Sequence, residues 1–391
     1  MLKAFEFPGG TNIAYGDGRV DLIGEDVKNI SGAGKAVVVT DPGIVRAGLV
    51  DVVLKALEKE GVEAELFSSV QSDPTAKSID EVVAVIKAFG AKCVIGLGGG
   101  SPMDVAKAAA AIAGGNLSAE QYELMKNPLP TKTVKCIAIP TTSGTGAEVT
   151  QTVVFTNSSK HKVWAWDNKV TAEMAILEPT FTVGLPPHLT ASTGLDALTH
   201  AIEACTNKNS NPVAQALGLQ AIRMLSNNLE KARAKPDDIE TRGNLAVASL
   251  LAGMGFARAS TGLAHSLGHA LGSLGHIHHG RAVAICLNVI YVWNVEAAIA
   301  VHADIARAFD LKDSGQDEKE LALAGAEEFD RLVKAVGLNE SLADDGLTVA
   351  DCEPFLEFIL SPENTPMRES NPRWATEEDL RRFVLEILMA S

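Results

Sequence analysis

No stretch of about 18 consecutive apolar residues occurs in this chain, and its start, MLKAFEFPGG, lacks a charged segment followed by an apolar one. Neither a membrane-spanning helix nor a Sec-type export signal is predicted, and the expected location is the cytoplasm. Cysteine pairing is missing too: Cys93, Cys136, Cys205, Cys286 and Cys352 are odd in number and scattered without any C-x-x-C spacing. They read as reduced thiols, not a disulfide framework. Positive charge is scarce, with 34 Lys and Arg against 49 Asp and Glu and a formal net charge of −15. A field of that sign repels nucleic acid and anionic membranes, so neither is an expected partner. Internal repeats and low-complexity linkers are also absent. What is there is an ordinary globular mixture, 46% hydrophobic and 21% charged over 391 residues, with chain enough for two or three domains.

From Lys35 short apolar runs alternate with amphipathic stretches: KAVVVT, a helical pattern to about Glu60, VEAELF, a second helix from about Thr75, then CVIGL. The alternation predicts βαβαβ and a parallel sheet. After CVIGL come Gly98, Gly99, Gly100 and Ser101 and the helix-forming PMDVAKAAAAIA. Glycines admit close backbone approach, and the N–H groups of a helix start attract phosphate. Ser101 is the expected N-cap, with Pro102 first and Asp104 third in the helix. A tight turn without a ligand is the plainer reading, and the pattern is not GxGxxG.

Asp41 follows KAVVVT directly and suits either an adenosine ribose, favouring NAD over NADP, or a simple Asp-Pro turn. In a usual Rossmann unit the glycines precede the acid. Here Asp41 comes first, so any nucleotide site must be assembled differently. A third strand, CIAIP, ends in Thr141, Thr142, Ser143, Gly144 and Thr145, hydroxyls able to donate to phosphate or ribose. The alternating VVFTN and HKVWAWD follow, where Lys162 offers a cation and Trp164 and Trp166 share a face expected to pack.

At Gly184 two prolines punctuate the chain, and long helical periodicities dominate beyond them. The expected domains are 1–184 and 185–391, with a cleft between them as the favoured place for a site. Five of the nine histidines, His265, His269, His276, His278 and His279, fall between Thr261 and Arg281. Such a cluster means a metal or proton transfer, unless the histidines are merely satisfied within helices. Asp196 and His200, four apart, share a helix face. Together with two imidazoles from the later stretch they would form an Asp/His3 site suited to Fe(II) or Zn(II). Spacing alone does not separate His265 from His269.

Taken together and in order, GGGSPMDVAK, IPTTSGTGAEVT, GLPPHLTASTGLDALTHAIEA, HSLGH and HG resemble the iron-containing (group III) alcohol dehydrogenases, over essentially the whole chain. The resemblance implies a dehydroquinate synthase-like fold: an α/β N-terminal nucleotide-binding domain with a parallel sheet, and an all-α C-terminal metal-binding domain. It implies Asp196, His200, His265 and His279 as metal ligands, and His269 as a catalytic neighbour able to relay the alcohol proton. Gly98, Gly99 and Ser101 would hold the pyrophosphate, Thr141, Thr142 and Thr145 the rest of the cofactor and Asp41 the ribose, with Asp73 and Lys162 as weaker cofactor positions. The expected cofactors are NAD and Fe(II), with Zn(II) or another divalent ion as the alternative.

Two departures stand out. His278 replaces the proline of a Pro-His-Gly motif, either to compete as a ligand or to fill the proline's place. Arg258 stands where asparagine is more typical, and with Arg281 it raises an acid-bearing substrate against the preferred reading of arginines paired with surface acids. The implied activity is NAD(H)-dependent interconversion of a small primary alcohol or diol and its aldehyde by a homo-oligomer. The alternatives are a dehydroquinate synthase-like lyase or cyclase, or an oxidoreductase acting on a hydroxy acid.

Overall fold

The computed structural model describes residues 10–312, 315 and 317–389, in two compact units that part between Leu185 and Pro186. The first contains β1 (Asn12–Tyr15), α1 (Ile23–Ser31), β2 (Lys35–Val39), α2 (Pro42–Arg46), α3 (Leu49–Lys59), β3 (Glu63–Phe67), α4 (Ala76–Phe89), β4 (Cys93–Gly98), α5 (Gly100–Ile112), β5 (Lys135–Pro140), β6 (Thr152–Thr156), β7 (Lys162–Trp166) and β8 (Met174–Leu177). Six strands form a parallel sheet in the order β1-β8-β5-β4-β2-β3, and β6 and β7 form an antiparallel hairpin. Side chains alternate across the sheet. Val37, Val39, Val94 and Ala138 join Ile79 and Val82 of α4 and Ala106 of α5 in one core. Val38, Ile95 and Ile137 join Ile23 of α1 and Val53 and Leu57 of α3 in the other. Covered on both faces, β2, β4 and β5 bury nearly every residue, which is why they read as continuous apolar runs.

After β2 the chain adds β3 on one side and β4 on the other. Strand order reverses there, and the carboxyl ends of β2 and β4 flank the place where open α/β sheets bind ligands. On the hairpin the buried face of β7 is Val163 and Ala165, while Trp166 is 51% exposed. The expectation that Trp166 packs is thus corrected, whereas Trp164, on the same face, is half-buried; the smaller residues fill the core beneath.

The second unit contains α6 (Pro187–Thr206), α7 (Pro212–Ala234), α8 (Ile239–Ala259), α9 (Leu263–Gly275), α10 (His279–Val295), α11 (Ile299–Ala308), α12 (Glu318–Ala335), α13 (Cys352–Leu360), α14 (Thr365–Ser370) and α15 (Glu377–Met389). Every residue of α6 from Thr190 to Thr206 is buried, enclosed by α7, α8 and α10. A helix enclosed all round should be apolar throughout. Asp196, His200 and Glu203 on α6 break that rule, and buried ionisable groups need partners or a purpose. No helix among the described residues is long and apolar enough to cross a membrane. All five cysteines are free and buried.

Away from these groups, His302 on α11 is buried against the ring of Tyr291, and neither ring nitrogen has a hydrogen-bond partner among the described residues. Burial pushes its imidazole down to about 4. A base depressed in the folded state stays neutral there while the unfolded chain takes up protons, so its stabilising effect is complete above about 6.5 and is lost as pH falls toward 4. Between pH 7 and pH 5 that single group removes about 2 kcal/mol of stability. Urea unfolding of His302→Leu at the two pH values is expected to show a correspondingly smaller acid loss than wild type, and identical losses would refute it.

Candidate metal centre and nucleotide turn

Asp196 and His200 sit one turn apart on α6, His265 on α9, and His279 opens α10. Oδ1 of Asp196 is the hub: it lies 3.8 Å from His200 Nδ1, 3.7 Å from His265 Nε2 and 3.6 Å from His279 Nε2. Donor atoms of Asp196, His265 and His279 all fall within 4.8 Å of one another. His200 lies outside that tighter group, but its ring stacks between His265, at 4.3 Å, and Phe256, at 4.2 Å.

These separations are too long for hydrogen bonds. They are close to the spacing of about 3.4 Å between two donors that share one ion at about 2.1 Å in tetrahedral geometry. Asp196 Oδ1 and His265 Nε2 are buried without a hydrogen-bond partner among the described residues, a cost of about 1–3 kcal/mol for each such atom. A cation among them satisfies both, so the donor set fits a divalent metal. Burial alone would raise the Asp196 carboxyl, but His200, His279 and His265 outweigh it and hold it well below the usual carboxylate range. For His265 burial acts downward, yet Glu203 and Asp196 lift the imidazole to about 9.

The other histidines take different places. His269, one turn beyond His265, is half-buried with its ring 5.1 Å from that of His279. His276 and His278 are exposed. His278 is the N-cap of α10 with φ −53°, within the range that a proline ring imposes. Beside His279, Gly280 is pressed onto α6: a Cβ there would stand 2.2 Å from the backbone oxygen of Ser192, one turn before Asp196.

In the α/β unit the carboxyl ends of β2, β4 and β5 converge. A Cβ on Gly98 would lie 3.3 Å from Asp41 Oδ2 and 2.7 Å from Pro102 Cγ, and Gly98 has φ +147°, a conformation that favours glycine. Oδ1 of Asp41 accepts from the N–H groups of Gly43 and Ile44 and caps α2, so the same carboxylate makes a turn and turns an oxygen toward the glycines. The Thr141 N–H donates to Gly98 O at 2.9 Å, while Thr142 and Thr145 flank Gly99 and Gly100. Asp41 precedes the glycines in sequence because its strand, β2, is the sheet neighbour of β4.

The helix start corrects one expectation. α5 begins at Gly100 with Gly99 as N-cap and no side-chain cap. Three glycines let the backbone turn early, so Ser101 lies in the first turn instead of capping it. Asp104 does not complete that turn: its carboxylate accepts from the Val154 N–H at 3.0 Å. Asp73 and Lys162 meet as an ion pair of their own, at 2.8 Å, between the segment after β3 and the hairpin.

Residues 10–179 match the family description "Iron-containing alcohol dehydrogenase", and residues 190–388 match "Fe-containing alcohol dehydrogenase family, C-terminal". The chain belongs to the iron-containing alcohol dehydrogenase family. It is therefore an NAD-dependent alcohol dehydrogenase of the iron type, with the dehydroquinate synthase-like fold of that family. Choline dehydrogenase of Bacillus subtilis is 36% identical, over 96% of this chain and 93% of its own. 1,3-Propanediol dehydrogenase of Klebsiella pneumoniae is 34% identical over 94% of each. Among solved structures, sulfoacetaldehyde reductase from Bifidobacterium kashiwanohense in complex with NAD+ has 27% identity and a TM-score of 0.90 over 99% of both chains.

Two residues of this dehydrogenase escaped the sequence reading. Lys107 is wholly buried, and its Nζ donates to Ala147 O, Thr150 Oγ1 and Thr152 O, at 2.8, 3.0 and 2.8 Å. It pins the segment that continues from Thr145. Burial lowers its ammonium, and Asp104, 3.5 Å away, opposes that. Glu203 is the other, and its carboxylate reaches His265. Each was legible only as a charge three residues beyond another polar group on a helix. Arg281 forms a bidentate pair with Asp345 and donates to the carbonyls of Asn339 and Ser341, in line with the preferred reading of an arginine paired with an acid.

Proposed function

We propose that this dehydrogenase interconverts a small, uncharged primary alcohol or diol and its aldehyde, with Asp196, His200, His265 and His279 holding one divalent ion, Fe(II) in the first instance. The observation that carries this reading is the convergence of three imidazoles on one buried Asp196 oxygen. The domain of residues 1–184 binds NAD, and that of residues 185–391 carries the metal. The ion, when bound, supplies Lewis-acid polarisation of the substrate oxygen, as a cation lowers the pKa of water from 15.7 to about 7. Asp196 contributes the negative charge of the cage, and the imidazoles fill it without adding more. First-turn N–H groups after Gly98 and Gly99, together with Ser101, grip the pyrophosphate. Thr141, Thr142 and Thr145 would hold the rest of the dinucleotide and Asp41 the ribose, with Asp73 and Lys162 as weaker cofactor positions. NAD, when bound, would supply the acceptor for the hydride that leaves the carbinol carbon, and His269 would take the hydroxyl proton.

The named substrates of the relatives differ in charge: choline is a cation, propanediol neutral and sulfoacetaldehyde an anion. An acid-bearing substrate finds no counter-charge in Arg281, which is already paired. An assay of anaerobically purified, iron-loaded enzyme with neutral, cationic and anionic alcohols and both nicotinamide cofactors tests the reading. Net NADH formation with short alcohols is expected; cofactor recycling with no net NADH would support a lyase or cyclase instead, and selective turnover of acid-bearing substrates would move the assignment to a hydroxy acid.

Homo-oligomerisation is part of the proposal. Among the described residues β1 is an edge strand and exposes Ile13 and Tyr15 without a charge, whereas the opposite edge, β3, carries Glu63 and Glu65, charges that discourage edge pairing. Light scattering that reports a monomer would refute it. A cytoplasmic location is supported by the unpaired thiols.

A further inference from the structure

We propose that Glu203 is a positioning residue that dictates which nitrogen of His265 is offered to the metal; this rests on the reading of His265 as a ligand. Helix α9 starts at Gly262 without any side-chain cap of its own. Glu203 crosses from α6 to supply one. Its Oε1 accepts from the backbone N–H of Ala264, at 2.8 Å, and of His265, at 3.4 Å. Oε2 lies 2.5 Å from His265 Nδ1. A Cβ at position 262 would fall 3.0 Å from Oε1, so the glycine leaves room for the carboxylate.

A carboxylate accepts and does not donate. Its partner nitrogen, Nδ1, therefore keeps its proton, which leaves Nε2, 3.7 Å from Asp196 Oδ1, as the nitrogen that would give up its proton to a metal. Because Asp196, His200 and Glu203 ride on one buried helix at intervals of four and three residues, the fold that places two ligands also sets the tautomer of a third. A carboxylate behind a ligating imidazole also raises its basicity.

Glu203→Gln is nearly isosteric and keeps one oxygen to cap α9, but it places an amide N–H2 against Nδ1. The imidazole then accepts at Nδ1 and carries its hydrogen on Nε2, where the ion should sit. Affinity for zinc alone, measured by competition with a chelating indicator, is expected to fall about 10- to 100-fold, with circular dichroism checking that the variant is folded. Unchanged zinc affinity would overturn the proposal. In 15N-edited spectra of the zinc-loaded wild type, the His265 ring should carry its proton on Nδ1, a result that needs no variant to fold. A proton on Nε2 would overturn the proposal as well. Asp196→Ala separates the two levels of inference: if wild type binds zinc no better than this variant, the metal site itself is wrong, whereas if wild type binds far better and Glu203→Gln matches it, only the role of Glu203 falls.

Discussion

Asp196→Ala is expected to lower alcohol oxidation about 1000-fold and to yield protein that purifies without stoichiometric metal. The magnitude follows from the several kcal/mol of charge stabilisation that a bound ion supplies, at 1.36 kcal/mol for each factor of ten. All three imidazoles face the same Asp196 oxygen, and no other ligand of the proposed set carries a negative charge. Its loss removes a donor and leaves three imidazoles to share a cation unaided. Metal analysis and kcat at saturating NAD, with folding checked by circular dichroism, measure the outcome. Activity within about tenfold of wild type would reject the assignment, since removing a true ligand must cost more than the 10- to 100-fold typical of an outer-shell partner.

The second large effect needs no change to any polar group. Gly280→Ala drives a methyl to within 2.2 Å of Ser192 O and 2.8 Å of its carbonyl carbon. Both are backbone atoms of α6 and cannot swing aside as a side-chain tip would. The start of α10 must back away, carrying His279 from Asp196. A misplacement of about 1 Å near reacting groups can cost about 100-fold in rate, and overpacking adds about 1–3 kcal/mol of instability. The expected result is a loss of about 100-fold in kcat, weaker metal retention and a lower melting temperature. Gly184→Ala, which meets nothing within 4 Å, is the matched control and should behave as wild type. Equal activity of the two variants would show that helix spacing at Gly280 is unimportant.

What could be read from the sequence follows the physics of each signal. Apolar runs and glycine turns are local, so β2 to β5 and the start of α5 were visible, the latter only to within the two residues that a flexible glycine run leaves open. Strand order is not local. Nothing in the chain before folding says that β2 will lie beside β4, which is what sets Asp41 against Gly98. Helical spacing put Asp196 and His200 on one face, but which of His265 and His269 points at them depends on the rotation of α9 about its axis. Packing and the Glu203 cap set that rotation. Glu203 and Lys107 passed unnoticed because a buried carboxylate or ammonium looks, in sequence, like any solvated charge on a helix. Trp166 misled in the opposite direction, since bulk suggests an interior that the hairpin gave to Val163 and Ala165.

Packing has sealed every sulfhydryl away, and burial pushes those of Cys136 and Cys205 up to about 12. Buried thiols of this kind are poor targets for peroxide or an alkylating agent. With iron in the proposed histidine cage, oxygen damage is expected to fall there: iodoacetamide should leave activity unchanged, and a ferrous chelator should abolish it.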